Sequence, residues 1–164
     1  KKYLVNLKNS DLNEILKDSK VSYIEQAYLI SEDNVEKRIR KIVNNNYDTY
    51  ELSVYKMKED GSKVLDKEKN ISKKIYNELL QFKAFNSGVI RKARYHFSYG
   101  DTCMYLDIFE DNSEIGYLEI NYDWKDKITL PSYLDVISDV SNEEGYSNRK
   151  YAINDIFLKR LLHN

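Results

Sequence analysis

Alternation of polar and apolar residues at every second position constrains this chain more than any other feature of its sequence. Eight segments show this alternation and contain many β-branched or aromatic residues, as expected for strands on a pleated, half-buried sheet. They are residues 3–7, 21–31, 36–43, 50–58, 62–69, 89–98, 102–110 and 114–122. Short turn sequences at residues 59–61, 99–101 and 111–113 separate neighbouring segments, which predicts antiparallel hairpins.

Three other segments repeat their apolar residues at the spacing of one helix face. They are residues 10–18, 71–82 and 150–162, and in the second of them the predicted stripe is Ile71, Ile75, Leu79 and Phe82. A long antiparallel meander must cover or close its edges. We therefore predict an α+β fold, an eight-stranded antiparallel β-barrel with external helices, formed by a single domain over residues 1–164.

The charge and cysteine content exclude several classes of function. Lys plus Arg total 26 and Asp plus Glu total 27, for a net charge of −1, so we expect no nucleic-acid partner. No apolar run is long enough for a transmembrane helix, so we expect no membrane partner. The single cysteine, Cys103, excludes an intramolecular disulfide and is compatible with a reducing compartment. We therefore expect a cytoplasmic protein.

Several strands carry like charges two residues apart, a spacing that places both side chains on one face. The pairs are Arg38 with Arg40, Lys92 with Arg94, and Asp66 with Glu68, and a further carboxylate occurs at both Asp107 and Glu119. The simplest explanation for any one pair is the solvent face of a half-buried sheet. However, basic and acidic pairs occupy different strands, and the other face of residues 91–97 ends in large aromatic side chains.

A barrel with a charged interior is costly unless a ligand compensates its charges. Arginine forks match phosphate oxygens, and carboxylate pairs suit a hard divalent cation that bridges to phosphate. The charged strands therefore predict a polyphosphate ligand together with Mg²⁺ or Mn²⁺.

A set of short motifs runs in order along nearly the whole chain. They are Ile24-Glu25-Gln26-Ala27-Tyr28-Leu29, Arg38-Ile39-Arg40, Asp66-Lys67-Glu68, Arg91-Lys92-Ala93-Arg94-Tyr95, Asp107-Ile108-Phe109 and Glu119-Ile120-Asn121. In these motifs and in their order the chain resembles the CYTH domain, also called the triphosphate tunnel metalloenzyme family. The resemblance implies an eight-stranded antiparallel tunnel and metal-dependent hydrolysis of a triphosphate, with inorganic tripolyphosphate as the expected substrate.

The resemblance also implies the roles of individual residues. The implied substrate-binding residues are Lys2, Arg38, Arg40, Lys56, Lys92 and Arg94. The implied metal ligands for Mg²⁺ or Mn²⁺ are Asp66, Glu68, Asp107 and Glu119, and Lys56 and Glu68 are the implied catalytic residues. The expected partner is a small molecule that contains a triphosphate, bound by a monomer or a homodimer.

Two departures from the family pattern remove carboxylates, whereas a third, Asp66 in place of a glutamate, keeps the charge. The family opens with Glu-x-Glu-x-Lys, whereas this sequence opens with Lys1-Lys2, and we expect the two glutamates to precede Lys1. The late acidic pair has Asn121 in place of its second glutamate. Both departures keep open a non-catalytic polyphosphate- or nucleotide-binding module with a decayed metal site. A class IV-type adenylate cyclase is the other alternative, which we rank lower because no adenine-binding signature is present.

Overall fold

The structure, a computed structural model, describes residues 1–45, 47–121, 127–141, 143 and 147–148. These residues form nine strands and two helices. In chain order they are β1 (Lys2–Asn6), α1 (Asn13–Asp18), β2 (Lys20–Tyr28), β3 (Val35–Asn44), β4 (Tyr47–Met57), β5 (Lys63–Asn70), α2 (Lys73–Leu80), β6 (Ile90–Tyr99), β7 (Thr102–Phe109), β8 (Asn112–Ile120) and β9 (Asp135–Asp139). The helix predicted over residues 150–162 lies outside the described residues. In the part of the chain that is described, neither helix has the length and apolar character needed to cross a bilayer.

The chain divides into two compact units. Among the described residues, the first contains residues 1–23, 91–121, 127–141 and 143, and the second contains residues 24–45, 47–90, 147 and 148. Strands β6-β7-β8-β1-β9 follow one another across the first unit, and β5-β4-β3-β2 across the second. The predicted antiparallel α+β architecture is confirmed. The predicted eight-stranded closed barrel is not shown, because nine strands form and the strand order closes on itself within neither unit.

The core of the first unit lies on one face of its strands. Its buried side chains come from β1, α1, β6, β7, β8 and the segment before β9, and they are Val5, Leu7, Ile15, Phe97, Met104, Leu106, Leu118, Ile120 and Leu134. Gly116 permits this packing, because a Cβ atom there would lie 3.0 Å from Leu7 Cδ2 and 3.1 Å from Leu106 Cδ1. The alternate residues of the same strands therefore face away from the core.

Helix α1 begins at Asn13 instead of at the predicted residue 10, and the Ser10 side chain has other hydrogen-bond partners. Ser10 donates its hydroxyl to the Asn6 carbonyl and accepts a hydrogen bond from the Asp135 backbone amide. The Ser10 side chain thus connects the end of β1 to β9 and is not available to the helix. Only Ile15 of α1 is buried in the core.

The core of the second unit lies between β3, β4 and helix α2. Ser72 caps this helix by accepting a hydrogen bond from the Ile75 amide at 3.1 Å, which satisfies one of the free amides of the first turn. The buried residue of α2 is Tyr76, whose ring lies 5.2 Å from the ring of Tyr50. The predicted apolar stripe is therefore partly wrong: Tyr76 replaces Ile75 and Phe82, both of which are exposed.

Candidate functional site

The first unit carries a charged face on the side of its strands that is opposite the hydrophobic core. Strand alternation places five predicted site residues on this first charged face, namely Lys2, Lys92, Arg94, Asp107 and Glu119. Asp107 lies between Arg94 on β6 and Tyr117 on β8, and Glu119 lies between Tyr105 on β7 and Lys2 on β1. The structure therefore brings these residues onto one surface, as the spacing within each strand predicts.

Lys92, Asp107 and Arg94 form a buried ion triad at the centre of this face. Arg94 donates Nε to Asp107 Oδ1 at 2.8 Å and Nη2 to Oδ2 at 2.9 Å, and Lys92 Nζ lies 2.8 Å from Oδ2. The side chain of Lys92 is completely buried, and that of Asp107 is 5% exposed. Burial acts to raise the pKa of Asp107, but Lys92 and Arg94 outweigh it and hold the pKa below its usual value.

Tyr105 links the triad to Glu119. The Arg94 guanidinium lies over the Tyr105 ring, with Cζ 3.8 Å from the centroid, a cation–π arrangement. The Tyr105 hydroxyl donates a hydrogen bond to Glu119 Oε2. The ring of His96 lies 5.8 Å from that of Tyr105, and burial together with the Arg94 charge lowers the pKa of His96 below its ordinary value. His96 is therefore neutral at neutral pH.

Lys2 contacts the same face from β1. Its Nζ lies 4.7 Å from the centre of the Tyr117 ring. Tyr117 in turn packs edge-on against Phe109, with 5.5 Å between the ring centroids, and Lys92 Nζ is 5.8 Å from the Phe109 ring. An aromatic ring therefore lies beside the ammonium group of each lysine.

The second unit carries its own charged face, on the side of β3, β4 and β5 that is opposite Ile39 and the core. Strand pairing places a row of polar side chains there, and we call this row the second charged face: Glu36, Arg38, Arg40, Glu51, Ser53, Tyr55, Lys63 and Glu68. Of the predicted site residues it contains Arg38, Arg40 and Glu68. Much of this face is buried, since Ser53 is inaccessible to solvent and Glu36 is 4% exposed.

Arg38 is the least compensated charge on the second charged face. It is 8% exposed, and its Nη2 donates a long hydrogen bond of 3.4 Å to Ser53 Oγ. Ser53 Oγ in turn donates a hydrogen bond to Glu68 Oε1 at 3.2 Å. Among the described residues, Arg38 Nε has no acceptor and no carboxylate is in ion-pair contact with this guanidinium. Neighbouring Arg40, by contrast, pairs with Glu51 at 3.4 Å.

Tyr28 lies buried beside the second charged face. Its hydroxyl accepts a hydrogen bond of 3.1 Å from Gln26 Nε2. Burial and then the negative charge of Glu36 raise the pKa of Tyr28 to about 12, although Arg38 and Arg40 act in the opposite direction. Tyr28 is therefore a neutral phenol that can donate or accept a hydrogen bond.

Lys56 and Asp66 do not share the face of Arg38, contrary to the expectation from the sequence. Lys56 lies opposite Val35 on β3 and Val64 on β5, and strand alternation therefore directs it to the other side of the sheet. Asp66 occupies the position where the register between β4 and β5 shifts. The two side chains form an ion pair with each other at 3.7 Å, and the side chain of Lys56 is 67% exposed.

Four side chains that contribute to these faces are not among the residues predicted from the sequence: Glu36, Tyr55, Lys63 and Tyr105. Glu36 was detectable, because Glu36-Lys37-Arg38-Ile39-Arg40 places it two residues before Arg38 on the same face. Lys63 gave no such signal, since its face depends on the hairpin between β4 and β5.

The carboxylates differ in how well they suit a divalent cation. Both oxygens of Asp107 are already held by Lys92 and Arg94, so Asp107 does not fit as a metal ligand. Glu68 and Glu119 each accept a hydrogen bond from a hydroxyl group and retain the hard oxygen chemistry that Mg²⁺ and Mn²⁺ prefer. Within the described parts of the chain, no three His, Cys, Asp or Glu side chains converge on one point.

The chain resembles known proteins in its structure and not in its sequence. No family profile matches the sequence, and no curated protein matches it. A crystal structure of the hypothetical protein NE1496 matches with a TM-score of 0.62 and 19% sequence identity, over 93% of this chain and 95% of that one. A crystal structure of the inorganic triphosphatase NE1496 matches with a TM-score of 0.63 and 18% identity, over 93% of this chain and 91% of that one. The chain therefore has the fold of NE1496, a protein named an inorganic triphosphatase, and this likeness confirms, at the level of fold, the resemblance to the CYTH domain.

Proposed function

We propose that this chain hydrolyses a triphosphate, with inorganic tripolyphosphate as the preferred substrate, bound inside a charged β-tunnel. The observation that supports this proposal most directly is the buried, uncompensated charge of Arg38. A guanidinium that is 8% exposed and has no carboxylate partner among the described residues is costly to bury, and a phosphate anion with its several acceptor oxygens compensates such a group well. The name of NE1496, an inorganic triphosphatase of the same fold, supports the same class of substrate.

The basic residues of each charged face would bind phosphoryl groups. Arg38 and Arg40 are the donors on the second charged face, and Lys2, Lys92 and Arg94 are those on the first. Their positive charges would neutralise the charge that develops on the phosphoryl oxygens during transfer. Lys56 has no place in this proposal, because it lies on the opposite side of β4.

Glu68 on the second charged face and Glu119 on the first would each offer a carboxylate ligand to Mg²⁺ or Mn²⁺, and Asp66 is the neighbouring carboxylate of Glu68 on β5. When bound, such an ion would polarise the phosphoryl oxygens and make a coordinated water more acidic. The hydroxyl groups of Ser53 and Tyr105, which donate to Glu68 and Glu119 respectively, would orient these carboxylates. Asp107 would act as the counter-ion of Lys92 and Arg94.

A second candidate function is a module that binds polyphosphate without hydrolysing it. Two observations favour it: both oxygens of Asp107 are engaged by cations, and an amide replaces a carboxylate at Asn121. This candidate would bind tripolyphosphate without releasing phosphate from it, whereas the enzyme would do both.

The test is to measure tripolyphosphate binding by calorimetry in chelator, and then phosphate release with Mg²⁺ or Mn²⁺ added. The enzyme is expected to release phosphate only with the cation, and Glu68→Gln is expected to bind tripolyphosphate while losing most of that release. Binding without release would favour the non-catalytic module. Absence of binding, or full turnover in excess chelator, would contradict the proposed function.

A further inference from the structure

Lys63 reaches the second charged face from strand β5. It lies opposite Met57, on the same side of the sheet as Tyr55 and Arg38. Its Nζ lies 2.9 Å from Glu36 Oε2 on β3 and 4.6 Å from the centre of the Tyr55 ring on β4. The side chain thus extends from β5 across β4 to β3, into the row that contains Arg38.

The Lys63–Glu36 ion pair is unequal in its exposure. The Glu36 side chain is 5% exposed, whereas that of Lys63 is 41% exposed. A lysine ammonium has three N–H donors, and Glu36 Oε2 accepts one of them. Lys63 can therefore remain bound to Glu36 while its other donors are directed to a ligand on this face.

Two positively charged side chains lie beside the Tyr55 ring. Arg38 Cζ lies 5.3 Å from its centroid, and Lys63 Nζ lies 4.6 Å from the same centroid. Both cations lie beside the same ring, and Glu36 compensates only one of them directly. A phosphate anion bound beside this ring would compensate the other and would also provide an acceptor for the buried Nε of Arg38.

We propose that Lys63 is a further phosphate-binding residue, which with Arg38 holds one phosphoryl group of the substrate above Tyr55. This inference rests on the proposed function and names a contact within its site. Lys63 takes the place that the sequence assigned to Lys56, which lies on the other side of the sheet. The guanidinium provides a planar fork and the ammonium a mobile point charge, a combination that suits a phosphate group able to turn about its bridging oxygen.

Lys67 provides a matched control on the same strand. It lies opposite Val54, on the side of β5 that faces away from Arg38, and Lys67→Gln removes the same charge as Lys63→Gln. Long-range electrostatics therefore change by the same unit of charge in both variants, while only one of them loses the proposed contact.

The experiment is calorimetric titration of the full chain with tripolyphosphate in excess chelator, so that turnover does not interfere. Lys63→Gln is expected to raise the Kd about tenfold or more, as for the loss of a charged hydrogen bond, and Lys67→Gln to change it less than twofold. Lys63→Arg is expected to retain most of the affinity because it keeps the charge. If Lys63→Gln melts early because Glu36 has lost its partner, the double variant Lys63→Gln/Glu36→Gln restores a neutral pair and is expected to show the same loss of affinity.

The outcomes distinguish this inference from the proposed function. If Lys63→Gln, or the folded double variant, binds tripolyphosphate within twofold of Lys67→Gln, the role of Lys63 is overturned and the proposed function remains. If the wild-type chain binds tripolyphosphate but releases no phosphate with Mg²⁺ or Mn²⁺, the proposed hydrolysis is contradicted. The Kd values of the variants then still test whether Lys63 binds phosphate. If the wild-type chain does not bind tripolyphosphate, both the proposed function and the role of Lys63 are contradicted.

Discussion

Arg94 donates two parallel hydrogen bonds to Asp107, from Nε to Oδ1 at 2.8 Å and from Nη2 to Oδ2 at 2.9 Å. Lys92 approaches the same carboxylate from the other side, with Nζ 2.8 Å from Oδ2. Two cations thus share one buried anion, which leaves a net positive charge at the centre of the first charged face. Such a centre suits a polyanionic ligand better than a metal ion, and Asp107 acts in it as a counter-ion.

Removal of the Asp107 charge is expected to destabilise the protein strongly. Asp107→Asn keeps the shape of the side chain but leaves the completely buried ammonium of Lys92 without its carboxylate. Breaking a buried ion pair in this way typically costs about 3–5 kcal/mol. Urea unfolding measures the change in the free energy of unfolding, with Asp101→Asn in the exposed β6–β7 turn as the control. Equal stability of the two variants would show that Lys92 does not depend on Asp107.

Arg94 is expected to matter more for activity than for stability. Arg94→Ala leaves Asp107 paired with Lys92, so we expect only a modest fall in Tm. Because a donor to the phosphoryl oxygens is lost, kcat/KM for tripolyphosphate is expected to fall about one hundredfold or more. Arg94→Lys is expected to recover only part of this loss, since an ammonium lacks the two parallel donors. Steady-state phosphate release, with thermal melts alongside, provides the measurement. Wild-type turnover in a folded Arg94→Ala variant would remove Arg94 from the site.

The strands were predictable because alternation is a local property. All eight predicted segments correspond to strands β1 to β8 within a few residues. Strand β9 was missed: it is the short segment Asp135-Val136-Ile137-Ser138-Asp139, three of whose residues are exposed, and pairing with β1 gives it its structure. The side of α2 that faces the core was also predicted incorrectly, because the contact of Tyr76 with Tyr50 joins residues distant in sequence.

The site was predictable only where one strand carries both residues of a pair. Arg38 and Arg40 share a face because they are two residues apart on β3, and the same holds for Lys92 and Arg94 on β6. The relation between strands depends on register, which spacing does not reveal. The shift in register between β4 and β5 at Val54 and Tyr55 places Glu68 on the face of Arg38 and separates Asp66 from it.

Because of Tyr28, the free energy of unfolding is expected to fall as the pH rises through the alkaline range. Its pKa is raised to about 12 in the folded state, from the ordinary value of 10.0 for tyrosine. The folded state therefore keeps the phenol proton where the unfolded chain releases it, and the stabilisation present below pH 10 is lost as the pH rises towards 12. Urea unfolding between pH 8 and pH 12 measures this slope, which should be shallower in Tyr28→Phe. The exposed Tyr47 provides the control variant Tyr47→Phe. A Tyr28→Phe slope as steep as that of the wild type would contradict the assignment.

The buried charge of Arg38 is expected to lower the free energy of unfolding of the ligand-free protein. A bound phosphate ligand is expected to restore this stability. The guanidinium is 8% exposed, and among the described residues it has Ser53 as its hydrogen-bond acceptor and no carboxylate. Arg38→Met is of similar length and removes a buried charge, so the free energy of unfolding should be unchanged or rise by about 1 kcal/mol. The Kd for tripolyphosphate should rise about tenfold or more, because a charged donor is lost.

Arg40→Met is the matched comparison for Arg38→Met, because it lies two residues away on the same face of β3. Arg40 pairs with Glu51, and its removal leaves that carboxylate without this partner, so Arg40→Met is expected to lower the free energy of unfolding. Urea unfolding without ligand and calorimetry with tripolyphosphate in chelator provide both quantities for both variants. If Arg38→Met lost as much stability as Arg40→Met and bound tripolyphosphate as tightly as the wild type, Arg38 would be a structural residue, and the proposed phosphate site would lose the observation that carries it.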